Sequence, residues 1–292
     1  MRYDVRLSIS YTYYGSASSG RHLLRMAPVT VPGEQTVLSS RLSVDPAPDE
    51  WQERADFFLN PVVEVAYRKA VRNTAFRLEA RVERHSLPPG FDMSPPPGEL
   101  AREVAAWHGL DPAAPHHFLA PSDRVPVRAE MTDYARAATY GAGSTWEAVR
   151  MLGEAIHRDW TYDPDATTVD TPAAEAFAAR HGVCQDFTHI MCACLRGLGI
   201  PAGYVSGFLR TEPPPGRPRL EGADAMHAWV RAWCGFEMGW VEYDPTNAMA
   251  VGLDHVVIAR GRDYSDVAPI TGVMWTAGGQ STDQAVDMIP LE

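Results

Sequence analysis

Cys184, His227 and Asp244 are the residues best placed, by type and by local context, for nucleophilic acyl transfer. Cys184 follows a glycine break and precedes an amphipathic run, so we predict that it lies in the first turn of a helix. The unpaired N–H groups and positive dipole end of a first turn favour an anion such as a thiolate. His227 would take the thiol proton and later protonate the leaving group, while Asp244 would fix the imidazole tautomer. The backbone N–H of Cys184 would be one donor to the oxyanion.

The elements predicted around these residues would bring them together. Apolar positions from Phe187 to Leu198 recur at helical spacing, and Gly199-Ile200-Pro201 ends that helix. Strands are predicted for residues 202–209, 226–233 and 240–245. The last two strands form a hairpin, which places Asp244 roughly opposite His227 at a Cβ separation of about 5–8 Å.

Three runs of the sequence carry a family resemblance, namely GVCQDFTHIMCACLRGLGIPAGYVSGF, AMHAWVRAW and GWVEYDPTN. They resemble the core of the transglutaminase-like superfamily, specifically its bacterial members, as do the later run HVVIARGRDYSDVAPITG and the strand-rich N-terminal region. The resemblance implies a papain-like α+β core with Cys184 as nucleophile, His227 as base and Asp244 as the third member. It also implies acyl transfer from an amide through a thioester, to water in peptidases and amidases or to an amine in cross-linking enzymes.

Alternation of apolar and polar residues predicts an antiparallel β-sandwich at the N-terminus. The alternating runs are 3–13, 38–44, 63–67 and 76–82. We predict an α+β protein with this β-sandwich domain at residues 1–85, a Pro-rich linker at 86–98 and a transglutaminase-like catalytic domain at 99–292. In the catalytic domain, the helix that carries Cys184 packs on an antiparallel sheet that carries the histidine and the aspartate.

Capping signals predict further helices between the linker and Cys184. Residues 99–108 have the pattern of a short helix. Ser144 and Glu147 have capping-box spacing at the start of a second helix. Thr171-Pro172 supplies an N-cap and a first-position proline for a third, which would extend to Arg180.

Gln185, Trp160 and Tyr162 are the candidates for the oxyanion site and its pocket. Gln185 either borders the active site or has a polar surface role, and the sequence favours neither. Trp160 and Tyr162 have core packing as their default role, but related enzymes use an aromatic side chain near the oxyanion pocket. Asp186 is expected to complement the helix dipole. His189 shares a helix face with polar residues, so we expect it to be solvated or at an interface.

No metal or cofactor is expected from the sequence. Cys184, Cys192 and Cys194 cannot converge on a tetrahedral site from one helix, and the last two are expected in the core. His108, His116 and His117 have no cysteine or acid at a metal-binding spacing. The calcium-loop pattern Asp-x-Asp-x-Asp-Gly is absent, which disfavours a calcium-switched cross-linking enzyme.

Composition limits the partners and the compartment. A formal net charge of −11 without basic runs argues against nucleic acid or an anionic membrane as the partner. No apolar stretch approaches the ~20 residues that span a bilayer, and residues 1–4 carry charges where a signal peptide has its apolar core. Four cysteines are too few for a disulfide scaffold. We therefore expect a reduced, cytoplasmic protein that acts on a peptide or protein, with its oligomeric state left open.

The predicted function is thiol-dependent acyl transfer at an amide bond, with hydrolysis by a peptidase or amidase favoured over cross-linking. Two alternatives are kept. One is a protein-glutamine transglutaminase, which uses an amine as acyl acceptor. The other is a non-catalytic binding module that retains the fold, which the presence of all three triad residues disfavours.

Overall fold

The computed structural model describes residues 1–86, 90–211 and 224–291, and these form the predicted α+β fold. The strands are β1 (Arg2–Leu24), β2 (Gln35–Asp45), β3 (Glu50–Ala55), β4 (Pro61–Tyr67), β5 (Val71–Arg84), β6 (Thr161–Tyr162), β7 (His181–Gly182), β8 (Ala202–Leu209), β9 (Met226–Trp233), β10 (Trp240–Asp244), β11 (Met249–Ala250), β12 (His255–Gly261), β13 (Ile270–Thr276) and β14 (Gln280–Leu291). The helices are α1 (Pro97–Ala106), α2 (Ala129–Ala138), α3 (Thr145–Asp159), α4 (Ala173–Ala179), α5 (Cys184–Gly197) and α6 (Tyr264–Val267). Among the described residues, no helix has the length and apolar character needed to cross a membrane.

The helices that precede α5 follow the predicted signals in three of four cases. α1 forms close to the predicted range, and α3 begins at the capping box, where Ser144 Oγ accepts a hydrogen bond from the Glu147 N–H at 3.0 Å. α4 begins at Ala173 with Pro172 as its N-cap, so the predicted N-cap at Thr171 and the first-position Pro172 are each one residue early. The helix ends at Ala179 and is followed by Arg180, which adopts a left-handed conformation with φ of 61°. Sequence reasoning missed α2, because its N-cap is Arg128, which is not one of the residue types that mark a helix start.

β1 is the strand around which the N-terminal sheet is built. Residues 2–12 pair with β5 on one side, and residues 2–13 pair with β14 on the other. Past an irregularity, residues 17–24 pair with β13 and residues 20–24 with β4. Apolar side chains from both halves belong to one buried cluster. The antiparallel pairing predicted for the N-terminal β-sandwich is confirmed, and seven of the described strands are hydrogen-bonded into one sheet.

The C-terminal strands do not follow the predicted domain boundary. β13 and β14 both pair with β1, so residues 270–291 complete the N-terminal sheet although the prediction placed them in the domain 99–292. Alternation in β14 indicates a strand but not its partner, because pairing over more than 250 residues depends on the tertiary fold. Of the predicted linker, residues 87–89 lie outside the described residues, and α1 begins within its last two positions.

The sheet that carries the candidate site has the strand order β11-β10-β9-β8-β12. β9 and β10 form the predicted hairpin, whose turn contains Gly235 and Gly239 with φ of 93° and 64°. Such positive φ values suit glycine, which has no Cβ to clash with its own backbone. α5 packs against β8 and β9 through apolar residues such as Ile190 and Met191, and it meets Val230 in the same cluster.

α5 is buried nearly all round, and this corrects the prediction for His189. The His189 ring is 1% exposed, accepts a hydrogen bond from the Tyr264 N–H at 3.2 Å and lies against the Tyr204 ring. Arg196 is also buried, and its guanidinium donates to the carbonyl oxygen of Ala202 at 3.0 Å. The polar residues that suggested a solvated face are instead satisfied by distant backbone groups, as buried polar groups must be.

Two amide side chains join the N-terminal region to the edge of the second sheet. Gln35 donates to the carbonyl oxygen of Val257 at 2.8 Å and accepts from the N–H of the same residue at 2.9 Å. Asn60 makes the equivalent pair with Arg260, at 2.8 Å in both directions. These amides occupy backbone groups that an edge strand would otherwise leave unpaired. β12, on which His255 lies, is thereby held by residues from the N-terminal sheet region.

Candidate active site

Cys184 is the first residue of α5, as predicted, and its thiol is free and partly exposed. The preceding backbone is held by Asp186, whose carboxylate accepts from the Val183 N–H at 2.9 Å and from the Thr167 hydroxyl at 2.6 Å. A Cβ at Gly182 would lie 2.5 Å from this carboxylate, so the approach to Cys184 requires glycine. The expectation that Asp186 serves the first turn of the helix is confirmed.

His227 and Asp244 are hydrogen-bonded to each other. Tyr243 pairs with Val230, so continuation of the register places Asp244 beside Trp229 and diagonal to His227. His227 Nε2 lies 2.7 Å from Asp244 Oδ2. The Cys184 side chain is close enough to interact electrostatically with the same imidazole. The structure therefore brings all three residues together around the His227 imidazole.

The Asp244 carboxylate is fully buried and accepts several further hydrogen bonds. Its Oδ1 accepts from the backbone N–H groups of Thr246 and Asn247, at 2.9 and 3.2 Å. Its Oδ2 accepts from the Asn247 amide at 2.7 Å and from His255 Nε2 at 3.2 Å. Sequence reasoning missed both side-chain partners. Asn247 had a signal, since Asp-Pro-Thr-Asn is typical of a turn in which the aspartate caps the following N–H groups; His255 had none beyond its position at the start of a strand.

His227 and Asp244 each stabilise the charged form of the other. Burial lowers the pKa of His227, but hydrogen bonds to Asp244 and Cys184 outweigh burial and raise it from 6.5 to about 10. Burial alone would raise the pKa of Asp244, but hydrogen bonds from His227 and His255 hold it well below its ordinary value of 3.8. At neutral pH the arrangement therefore favours an imidazolium at His227 beside the ionised carboxylate of Asp244.

We expect the imidazolium of His227 to persist far above pH 6.5 and to require Asp244. In the variant Asp244→Asn the His227 titration midpoint, followed by NMR, should fall by about 1–3 units because the opposite charge is lost. The raised pKa contributes stability that is complete below pH 6.5 and is lost as the pH rises toward 10. Urea unfolding at pH 6, 8 and 10 should show this decline in the wild type, and a smaller one in Asp244→Asn.

Asp165→Asn is the matched control, because Asp165 is exposed. It should leave the His227 midpoint and the pH dependence of unfolding unchanged. A wild-type midpoint near 6.5 would contradict the electrostatic account.

The other three cysteines differ sharply from Cys184. Cys192 and Cys194 are fully buried, which confirms their predicted place in the core, and burial raises the pKa of each to about 12. Cys234 is also buried, and burial raises the pKa of its thiol as well. A buried thiol with a raised pKa is a poor nucleophile, so Cys184 is the accessible candidate.

The three pocket candidates occupy different surroundings. Trp160 is buried, donates to the Ala176 carbonyl oxygen at 3.2 Å and lies beneath the Arg180 guanidinium, so it has the packing role. Tyr162 is 53% exposed and lies near the thiol, because β6 pairs it with Gly182, two residues before Cys184. Gln185 is buried and donates to the Val169 carbonyl oxygen at 3.1 Å, which excludes a surface role.

His227, Asp244 and His255 also have the residue types of a metal site. Their ligand-type atoms lie within 4.8 Å of one another. However, Asp244 Oδ2 already accepts from both imidazoles and from Asn247, at 2.7–3.2 Å. A cation would have to replace these donated protons, so the group fits a hydrogen-bonded cluster better than a metal centre.

Comparisons with known proteins agree with this architecture. Residues 132–245 match the transglutaminase-like superfamily, and residues 3–83 match the bacterial transglutaminase-like N-terminal region. An uncharacterized protein of Mycobacterium tuberculosis is 35% identical over 265 residues, which cover 88% of this chain and 83% of the relative. The crystal structure of a candidate cysteine protease from Cytophaga hutchinsonii has a TM-score of 0.77 at 22% identity, covering 100% of this chain and 91% of that one.

Fold and site together define the class, an α+β protein in which a helix that begins with a cysteine packs on an antiparallel sheet that carries a hydrogen-bonded histidine and aspartate. The chain belongs to the transglutaminase-like superfamily and carries the bacterial N-terminal region of that family.

Proposed function

We propose that this protein is a thiol-dependent acyltransferase that cleaves an amide bond through a Cys184 thioester, with water as the acyl acceptor. Family membership supports a thiol-dependent enzyme at the coarse level. The observation that carries the finer proposal is the 2.7 Å hydrogen bond between His227 and Asp244, with the partly exposed thiol of Cys184 close to the same imidazole. A peptide or protein is the proposed substrate.

The geometry suits each step of such a reaction. His227 receives the thiol proton, and the Cys184 sulfur attacks the amide carbon. The imidazolium then protonates the leaving amine as the amide C–N bond breaks and the thioester forms. In the second half, His227 takes a proton from water as the water oxygen attacks the thioester carbon, and the C–S bond breaks to release the carboxylic acid and the Cys184 thiolate. Asp244 stays ionised throughout, because its hydrogen bonds stabilise the carboxylate.

The oxyanion that forms during attack needs donors near Cys184. The N–H of Cys184 belongs to the first turn of α5, where backbone donors have no partner within the helix. Tyr162 is the proposed second donor, since its position beside Gly182 places it near the thiol. Gln185 is proposed to border the pocket through its bond to the segment that contains Val169.

Selective alkylation tests the activated thiol. At about pH 6.5, iodoacetamide should modify Cys184 at least ~10-fold faster than the three buried cysteines, measured by peptide mass spectrometry. Because exposure alone would also favour Cys184, the decisive comparison is His227→Gln, in which the Cys184 rate should fall about 10-fold. His108→Gln, a change at an exposed histidine, is the control and should leave the rate unchanged. An equal rate in His227→Gln and wild type would remove the basis of the proposal.

The acyl acceptor is tested separately. Digestion of a peptide library should yield new carboxyl termini in a Cys184-dependent manner. Incorporation of a labelled amine into a glutamine-containing protein, dependent on Cys184, would favour the transglutaminase alternative instead.

A cytoplasmic, reducing compartment is also part of the proposal, and the four free thiols support it.

A further inference from the structure

A second buried imidazole lies against Asp244. His255 is fully buried at the start of β12, and its Nε2 is 3.2 Å from Asp244 Oδ2. Its Nδ1 faces the backbone N–H of Gly252 at 3.4 Å. A backbone N–H only donates, so Nδ1 is the acceptor and the proton of the neutral ring lies on Nε2. His255 therefore donates to the same carboxylate oxygen that binds His227.

The surroundings of His255 hold this ring in place. The Trp229 indole packs edge-on against it, with ring centroids 5.2 Å apart, and donates its own N–H to Glu242 at 2.7 Å. The indole can lie across β8 because Gly207 has no side chain; a Cβ there would be 2.5 Å from the indole. His255 is thus fixed by three contacts: the Gly252 N–H, the Trp229 ring and the Asp244 carboxylate.

Charged groups lie around His255 on several elements, beginning with Asp254, which precedes it and accepts a hydrogen bond from the Tyr3 hydroxyl at 2.7 Å. Asp244 faces it from β10, and His227 lies beyond that carboxylate on β9, with ring centroids 6.2 Å apart. Glu242 is bonded to the far side of the Trp229 indole. Arg84 donates to the Gly252 carbonyl oxygen. Of these groups, Asp244 is the one that shares a hydrogen bond with His255.

We propose that His255 is a positioning residue of this active site, which holds the Asp244 carboxylate in the orientation from which it binds His227. The inference rests on the proposed role of Cys184 and His227, and it adds a fourth residue to that unit. A carboxylate with fewer donors can rotate away from the imidazole, and a displacement of about 1 Å at a reacting group can cost ~10²-fold in rate. The donated hydrogen bond also stabilises the ionised form of Asp244. Its loss should therefore lower the pKa of His227, because the opposite charge beside the imidazole is weakened.

Three substitutions separate this role from packing. In His255→Gln the amide nitrogen reaches the former Nε2 position, whereas in His255→Asn it reaches only the Nδ1 position; His255→Leu has no donor. The Asn and Leu variants should lower the NMR midpoint of His227 by about 1 unit, as expected when a charge partner is weakened. They should also lower Cys184 alkylation at about pH 6.5 and lower kcat by up to about 10²-fold, with little change in KM, because a displaced reacting group costs rate and not binding. The Gln variant should stay close to wild type, because its amide nitrogen can still donate to Asp244.

Thermal unfolding of each variant reports packing separately. If His255→Leu does not fold, the Gln and Asn pair decides the question, because both fill the space with an amide. Wild-type behaviour in His255→Asn, or a loss of alkylation in all variants without a shift of the His227 midpoint, would overturn the inference. An unreactive Cys184 in the wild type would instead contradict the proposed function, while the His227 midpoint would still test His255.

Discussion

Replacement of Cys184 by alanine is expected to lower amide hydrolysis by ~10⁴-fold or more, since the members of a nucleophile–base unit act together. No other cysteine among the described residues can substitute, because Cys192, Cys194 and Cys234 are buried and have raised pKa values. The Cys184 thiol is partly exposed, so its removal should change the free energy of unfolding by less than ~1 kcal/mol. The measurements are kcat/KM on a cleaved library peptide and unfolding in urea.

Cys192→Ala is the matched control for this prediction. It removes the same atoms from the same helix, eight residues further along, at a fully buried position. It should retain activity within a few-fold while it loses some stability through a small cavity. If Cys184→Ala kept activity within tenfold of the wild type, the nucleophile would have to be sought elsewhere.

Gly207→Ala is expected to lower the free energy of unfolding by roughly 3 kcal/mol or more, at the upper end of the cost of overpacking. Gly207 pairs with His227 across β8 and β9. An added Cβ would clash with the carbonyl oxygen of Val256 and lie 2.5 Å from the Trp229 indole. The backbone of β12 cannot move aside without breaking its pairing with β8, and the indole is held by its bond to Glu242.

Gly98→Ala provides the comparison, because a Cβ at this position in α1 meets nothing within 4 Å. It should be neutral, or stabilising by up to about 1 kcal/mol, since alanine has the higher helix propensity. Urea denaturation of both variants measures the difference, and NMR of His227 in Gly207→Ala reports displacement of the site. Equal stability of the two variants would show that the packing around Gly207 is looser than the structure indicates.

The sequence by itself determined the local elements that carry the three candidate catalytic residues. A glycine break before an apolar run was enough to predict the start of α5 at Cys184, and the hairpin of β9 and β10 followed from alternation and a glycine-containing turn. These features depend on residues close together in the chain, where side-chain periodicity and backbone preferences act directly. The family resemblance, which is confirmed, then assigned roles to residues that the patterns had only placed.

Tertiary structure alone decided how the site is completed. His255 reaches Asp244 from another strand of the sheet, and no local pattern encodes which strands become neighbours. The burial of His189 is likewise hidden from helical periodicity, because its partner is the distant N–H of Tyr264. β13 and β14 return to β1 for the same reason, since strand pairing over a long separation depends on the whole fold. Local residue patterns thus determined the helix and strands that carry the site, and long-range packing determined which of them are in contact.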